Sequence, residues 1–127
     1  MTKRSGLKGS SILLVEDEML VAMLLESVLE QEGCKVISAG FVEQATRLAT
    51  EQAIDAAILD VNLHGKRSYP VADALSARGI PFLFATGYGD VDLKTLFPDN
   101  LVIAKPFDPD EVITALTSLI AGAAGSR

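Results

Sequence analysis

The chain predicts an α/β domain: a doubly wound, five-stranded parallel sheet with helices on both faces. Two observations carry this. Short apolar runs alternate with stretches of helical periodicity five times, the pattern of repeated βα units joined by right-handed crossovers. Several of the runs, Ile12–Val15 and Ala56–Leu59 above all, are continuously apolar, as strands covered on both faces must be. A length of 127 residues suits one domain, and 49% hydrophobic residues suffice for a packed core without staples.

The elements follow in order. Ile12–Val15 is the first strand, too short for a helix. Asp17 then offers a helix N-cap, with Glu18 in the first turn, where negative charge suits the dipole. Leu20, Met23, Leu24, Ser27, Val28 and Gln31 keep helical spacing, Val21 and Leu25 widen the apolar face, and Gly33 ends the helix. Met19 and Met23 read as packing residues on that helix. Lys35–Ala39 is the second strand, and Val42–Gln52 a helix with Val42, Ala45, Leu48 and Ala49 on its apolar side. Ala56–Leu59 is the third strand. Val61–Tyr69 reads as a polar loop, and Pro70 opens a helix that runs to Arg78 before Gly79. Ile80–Ala85 and Leu101–Ala104 are the fourth and fifth strands. Between them only Val91–Phe97 can be helical, flanked by Gly87, Gly89 and Pro98, so a short or mobile helix is expected. Asp108 caps a last helix with Pro109 at its first position and Ile113, Leu116, Thr117 and Ile120 on one side. The domain is expected over residues 10–121, with tails at 1–9 and 122–127.

Composition excludes several function classes. A net charge of −6 opposes nucleic-acid binding and adsorption to an anionic membrane. Cys34 is the single cysteine, so neither an internal disulfide nor a cysteine metal cluster is available, and it reads as a small packed residue. No signal peptide is apparent, and no apolar run approaches the roughly 20 residues of a membrane span. A cytoplasmic location is the expectation.

Function points to the strand ends. Glu16-Asp17, Asp60, Thr86 and Lys105 each follow an apolar run directly, and ligands bind at that end of an open α/β sheet. Singly, each has a plain reading: a helix start, a turn residue, a strand-end lysine. Together they suit one chemistry. With the first strand beside the third, Glu16, Asp17 and Asp60 crowd together, which raises a carboxylate pKa or demands a cation. Mg²⁺ is a hard ion that accepts one or two carboxylates and shares phosphate oxygens. Asp60 is the candidate nucleophile for an acyl phosphate. Lys105 and the cation would offset the charge on the phosphoryl oxygens. Thr86 would donate its hydroxyl, and the N–H groups of Asn62 and Gly87 could add to it. Pro106 could form a cis peptide that sets where Lys105 points. His64 reads as a solvated loop residue, since a typical metal site would need a second histidine; Asp90, Asp92 and Asp99 read as surface charge.

Over residues 10–121 the chain resembles the receiver domain of two-component response regulators. The resemblance rests on Leu14-Val15-Glu16-Asp17-Glu18, Ile58-Leu59-Asp60-Val61-Asn62-Leu63, Ala85-Thr86-Gly87 and Lys105-Pro106-Phe107, in order and suitably spaced. It implies the flavodoxin-like strand order 2-1-3-4-5, for which a receiver is a standard example. It implies that Asp60 takes a phosphoryl group from a phosphohistidine of a sensor histidine kinase or histidine phosphotransfer protein. Asp17, Asp60 and the carbonyl of Asn62 would bind Mg²⁺ directly, Glu16 would act through water, and Thr86 and Lys105 would hold the phosphoryl group. Pro81–Gly89 is similar to the signature of the "FAT GUY" receivers, mostly alphaproteobacterial, often single-domain and linked to HWE-class kinases, some of them central to general stress response phosphorelays. The chain departs from the wider family in two ways. Val102 stands where many receivers carry a switching Tyr or Phe, and the Thr86–Lys105 interval is shorter than usual. Ordering of Gly87–Phe97 is therefore expected to replace the aromatic switch, and Tyr88 to shield the acyl phosphate. The expected role is a stand-alone phospho-accepting switch without turnover of an outside substrate. A phosphate shuttle or sink is the nearest alternative. A phosphatase of the haloacid dehalogenase type is more distant, since Asn62 stands where that group wants a second acid.

Overall fold

A computed structural model describes residues 6–87 and 91–125. Five parallel strands form the sheet: β1 (Ser11–Val15), β2 (Lys35–Ala39), β3 (Ala56–Asp60), β6 (Phe82–Thr86) and β7 (Leu101–Ala104), in the order β2-β1-β3-β6-β7. The labels β4 (Asn62–Leu63) and β5 (Lys66–Arg67) belong to a two-stranded antiparallel hairpin that follows β3. Counting only the parallel strands, this is the doubly wound order the sequence implies. Helices α1 (Met19–Gln31), α2 (Val42–Glu51), α3 (Tyr69–Ala77), α4 (Val91–Leu96) and α5 (Pro109–Gly125) connect and cover them.

The central strands are apolar on both sides because both faces are roofed. Ile12, Leu14, Ile58 and Leu83 join Leu25 and Leu29 of α1 and Val112 and Leu116 of α5 in one core. Leu13, Val15, Leu59 and Phe84 join Ala45 and Ala49 of α2, Val71 and Leu75 of α3 and Leu93 of α4 in the other. Successive residues of β1 therefore enter opposite cores, as the period-2 geometry of a strand requires.

Several expectations are corrected. The buried face of α1 carries Leu25 and Leu29, whereas Met19 is 73% and Leu20 80% exposed, with Met23 and Leu24 exposed as well. The apolar residues of this helix encircle it, so periodicity alone could not select the inward side. Glu18, not Asp17, is the N-cap, and no side chain caps the helix. The expected loop after Asp60 contains the β4–β5 hairpin, and Leu63 within it is fully buried. Leu7, expected in a tail, lies in the core, and α5 continues to Gly125. Gly33 follows α1 at φ 87°, where a Cβ would meet Lys8 Cγ at 3.0 Å and Lys8 Cα at 3.2 Å. A side chain there would be both strained and crowded. α4 is short, six residues. Tyr88, Gly89 and Asp90 lie outside the described residues.

Among the described residues, no helix is long and apolar enough to cross a membrane.

Candidate phosphoacceptor site

Sheet register assembles the site. Val15 pairs with Leu59 across the β1–β3 ladder, so one step further brings Glu16 beside Asp60. Thr86 pairs with Ala104 across β6 and β7, and the Lys105 N–H donates to the Thr86 carbonyl at 2.8 Å. β3 sits between β1 and β6, so all four strand ends converge on Asp60.

Glu16, Asp17 and Asp60 each offer a carboxylate oxygen, and these oxygens lie within 4.8 Å of one another. Lys105 Nζ reaches into the group, 2.8 Å from Glu16 Oε1, 3.1 Å from Asp60 Oδ2 and 3.3 Å from Glu18 Oε1. The Lys105–Pro106 peptide is cis. Glu16 is buried, its other oxygen accepting the Glu18 N–H at 3.0 Å. Burial pushes the Glu16 carboxyl up to about 7, against the opposing pull of the Lys105 ammonium. Burial by itself would lower the Lys105 pKa, but Glu16 and Asp60 outweigh it and hold the ammonium above its ordinary value. Lys105 is thus a fixed cation among acids.

Asp17 is held differently: its Oδ2 accepts the His64 N–H at 2.9 Å. The Asn62 N–H, expected to face a phosphoryl group, lies 3.3 Å from Asp60 Oδ1. Thr86 is half-buried at the end of β6. Val102 lies on the sheet's edge strand, 41% exposed, beside a groove of about 590 Å³ that Leu101 and Ala104 share with Glu111 and Ala115 of α5. Two participants escaped sequence reasoning: the Glu18 carboxylate and the His64 N–H. Glu18 carried only a helix-start signal, and a backbone donor carries none.

The donor set fits a small hard cation. Three carboxylates in mutual reach can supply the one or two that Mg²⁺ accepts.

A family model for the response regulator receiver domain matches residues 12–117. The uncharacterized transcriptional regulatory protein YbdJ of Bacillus subtilis strain 168 is 32% identical over 118 residues, covering 90% of this chain and 52% of that protein. The chain thus spans about half the length of the curated relatives it matches. The solution structure of SdrG from Sphingomonas melonis Fr1 is 46% identical at a TM-score of 0.77, covering 88% of this chain and 97% of that one. The receiver domain of the sensor histidine kinase PA1611 from Pseudomonas aeruginosa PAO1, solved with a magnesium ion coordinated in its active site cleft, is 29% identical at a TM-score of 0.79, covering 89% of this chain and 98% of that one. Fold, converging strand ends and family match agree: the chain belongs to the response regulator receiver domain family.

Proposed function

We propose that Asp60 accepts a phosphoryl group from a phosphohistidine of a sensor histidine kinase or histidine phosphotransfer protein, in a Mg²⁺-dependent step. The observation that carries this is the meeting of Glu16, Asp17 and Asp60 within 4.8 Å, with Lys105 Nζ 3.1 Å from Asp60. An Asp60 carboxylate oxygen forms the new P–O bond as the P–N bond to the donor imidazole breaks, and the electron pair returns to that nitrogen. Bound Mg²⁺ supplies charge neutralisation between the carboxylates and the phosphoryl oxygens. Asp17, Asp60 and the Asn62 carbonyl would hold it. Glu16 has both oxygens engaged by Lys105 and the Glu18 N–H, which supports an indirect role for it. Lys105, charged throughout the physiological range, is the side chain suited to draw the phosphoryl oxygens away from the carboxylates, and Thr86 offers its hydroxyl from the neighbouring strand end.

The reaction is self-modification, without turnover of an outside substrate: Asn62 stands where a second acid would serve a phosphatase. Signalling proceeds by partner docking. The exposed Met19, Leu20, Met23 and Leu24 beside the site form an apolar surface that a phosphodonor could cover as it approaches Asp60.

Intact mass after incubation with Mg²⁺ and acetyl phosphate tests the proposal. The expected result is one phosphoryl adduct, lost without Mg²⁺ and in Asp60→Asn. An adduct that persists in Asp60→Asn would move the acceptor elsewhere, and one that persists without the metal would remove the cation from the mechanism.

A further inference from the structure

Asp17 stands apart within the acidic group. Lys105 binds Glu16, Glu18 and Asp60, while the Asp17 carboxylate takes its hydrogen bond from a backbone N–H, that of His64, at 2.9 Å. Whatever holds His64 therefore also sets where Asp17 points.

His64 and Gly65 form the two-residue loop of the β4–β5 hairpin, at φ 50° and 85°. Positive φ at both positions is the signature of a tight type I′ turn. The ladder is minimal, Asn62 opposite Arg67 and Leu63 opposite Lys66, and an isolated two-stranded hairpin is marginal in water. Outside contacts must hold it. Leu63 anchors its inner side in the core. On the outer side the His64 ring lies flat on the Phe41 ring, with centroids 4.5 Å apart and planes 16° from parallel. Lys66 Nζ also reaches Glu43 Oε2 in the first turn of α2 at 2.8 Å. Phe41 is itself placed relative to Asp17. It lies two residues after Ala39, whose carbonyl accepts the Glu16 N–H at 3.0 Å. The contacts close a circuit: the Glu16 N–H next to Asp17, the Ala39 carbonyl two residues before Phe41, the Phe41 ring, the His64 ring, the His64 N–H and back to the Asp17 carboxylate. Phe41 is 57% exposed, so its ring is held by the His64 stack rather than by the core.

We propose that the Phe41–His64 stack is a positioning device for the cation site: it clamps the hairpin to the start of α2 and so aims the His64 N–H that fixes the Asp17 carboxylate for the metal. This rests on the reading of Asp17 as a Mg²⁺ ligand. Neither ring supplies a carboxylate to the acidic group, and the His64 ring itself comes no nearer than 4.0 Å (Nδ1) to Asp17 Oδ2, so both are assigned as positioning residues. The His64 N–H is the group one step out from the metal, of the kind that governs affinity by limiting how far a ligand can wander, and the stack acts through it.

The test uses two measurements on the full chain: hydrogen exchange of the His64 amide in metal-free protein, and Mg²⁺ affinity by titration. Phe41→Ala removes the stack without touching the hairpin. His64→Asn removes the ring, and with it both the stack and the Nδ1 approach of 4.0 Å to Asp17 Oδ2, while keeping a residue that tolerates positive φ, so Phe41→Ala is the variant that isolates the stack. Phe41→Tyr keeps the stack. Both ring-deleting variants are expected to speed His64 amide exchange and to weaken Mg²⁺ binding by about tenfold, while Phe41→Tyr matches the wild type in both. The proposal is overturned if Phe41→Ala leaves His64 exchange and Mg²⁺ affinity unchanged, or if Phe41→Tyr falls as far as Phe41→Ala. Should the wild type bind no Mg²⁺, the cation reading fails on its own account, and the exchange data still decide whether the stack holds His64 against Asp17.

Discussion

Lys105 is the residue on which the site's electrostatics turn. Its ammonium lies within 3.3 Å of three carboxylates, two of them largely buried. Removing one partner from such a set leaves the other charges uncompensated, which is more damaging than the pair itself is stabilising. Lys105→Met is therefore expected to lower the stability of the metal-free protein by roughly 2 kcal/mol, most of it from the Glu16 and Asp60 contacts rather than the exposed Glu18. Mg²⁺ should restore part of that loss by supplying the missing positive charge. Urea denaturation with and without Mg²⁺ measures both effects; a variant as stable as wild type without metal would refute the stabilising role given to the Lys105 contacts with Glu16 and Asp60. Sequence reasoning named Glu16, Asp17, Asp60, Thr86 and Lys105 because each directly follows an apolar strand. It missed the His64 N–H, because a backbone donor leaves no mark in side-chain chemistry.

At the scale of elements, α1 shows how inward and outward faces are chosen. Its apolar residues are too numerous to define one stripe, and the sheet buries Leu25 and Leu29 while leaving Leu20 and Met23 outside. Leu29→Ala should cost about 3 kcal/mol, as for a fully buried leucine whose cavity cannot collapse, whereas Leu20→Ala should stay within about 0.5 kcal/mol. Equal losses in thermal or urea unfolding would refute this assignment of faces. The six-residue α4 is far below the length at which a helix stands alone. It is held through the buried Leu93 and through Phe97, whose ring lies 5.2 Å from Phe84 and 5.6 Å from Tyr69. Phe84 lies on β6, two residues before Thr86, so a change at Thr86 has a packed route to α4. A phosphoryl mimic at Asp60 should raise amide protection over residues 91–97; equal protection in the two states would exclude α4 as the carrier of the signal. The β4–β5 hairpin was invisible in sequence because strands of two residues, one of them Lys-Arg, carry no periodicity.

On the scale of the whole molecule, the two ends of the sheet have different tasks. One gathers the acids and Lys105. At the other, the turn containing Leu7 closes the core, and the Gly9 N–H donates to the Gly33 carbonyl at 2.9 Å. Cys34 belongs to that closing end, its Sγ 3.6 Å from the Leu7 carbonyl oxygen. Burial pushes its thiol from an ordinary 9.0 up to about 11, with Glu32 adding to the shift. A raised folded-state value means that Cys34 supports the fold fully below about pH 9 and loses that support as pH climbs through about 11. At pH 8 its alkylation should be roughly a hundredfold slower in the native protein than in the urea-unfolded chain, since the thiolate is the reacting form; comparable rates would show the end to be open. The sequence by itself determined the parallel α/β architecture and the strand-end chemistry, because continuous apolar runs ending in Asp, Thr and Lys are local signals that survive without a partner. Only the tertiary structure decided the β4–β5 hairpin, the outward turn of Met19 and Leu20, and the stacking of Phe41 on His64. Each of these depends on which distant segment comes to lie alongside, and that is settled by packing rather than by any residue's own preference.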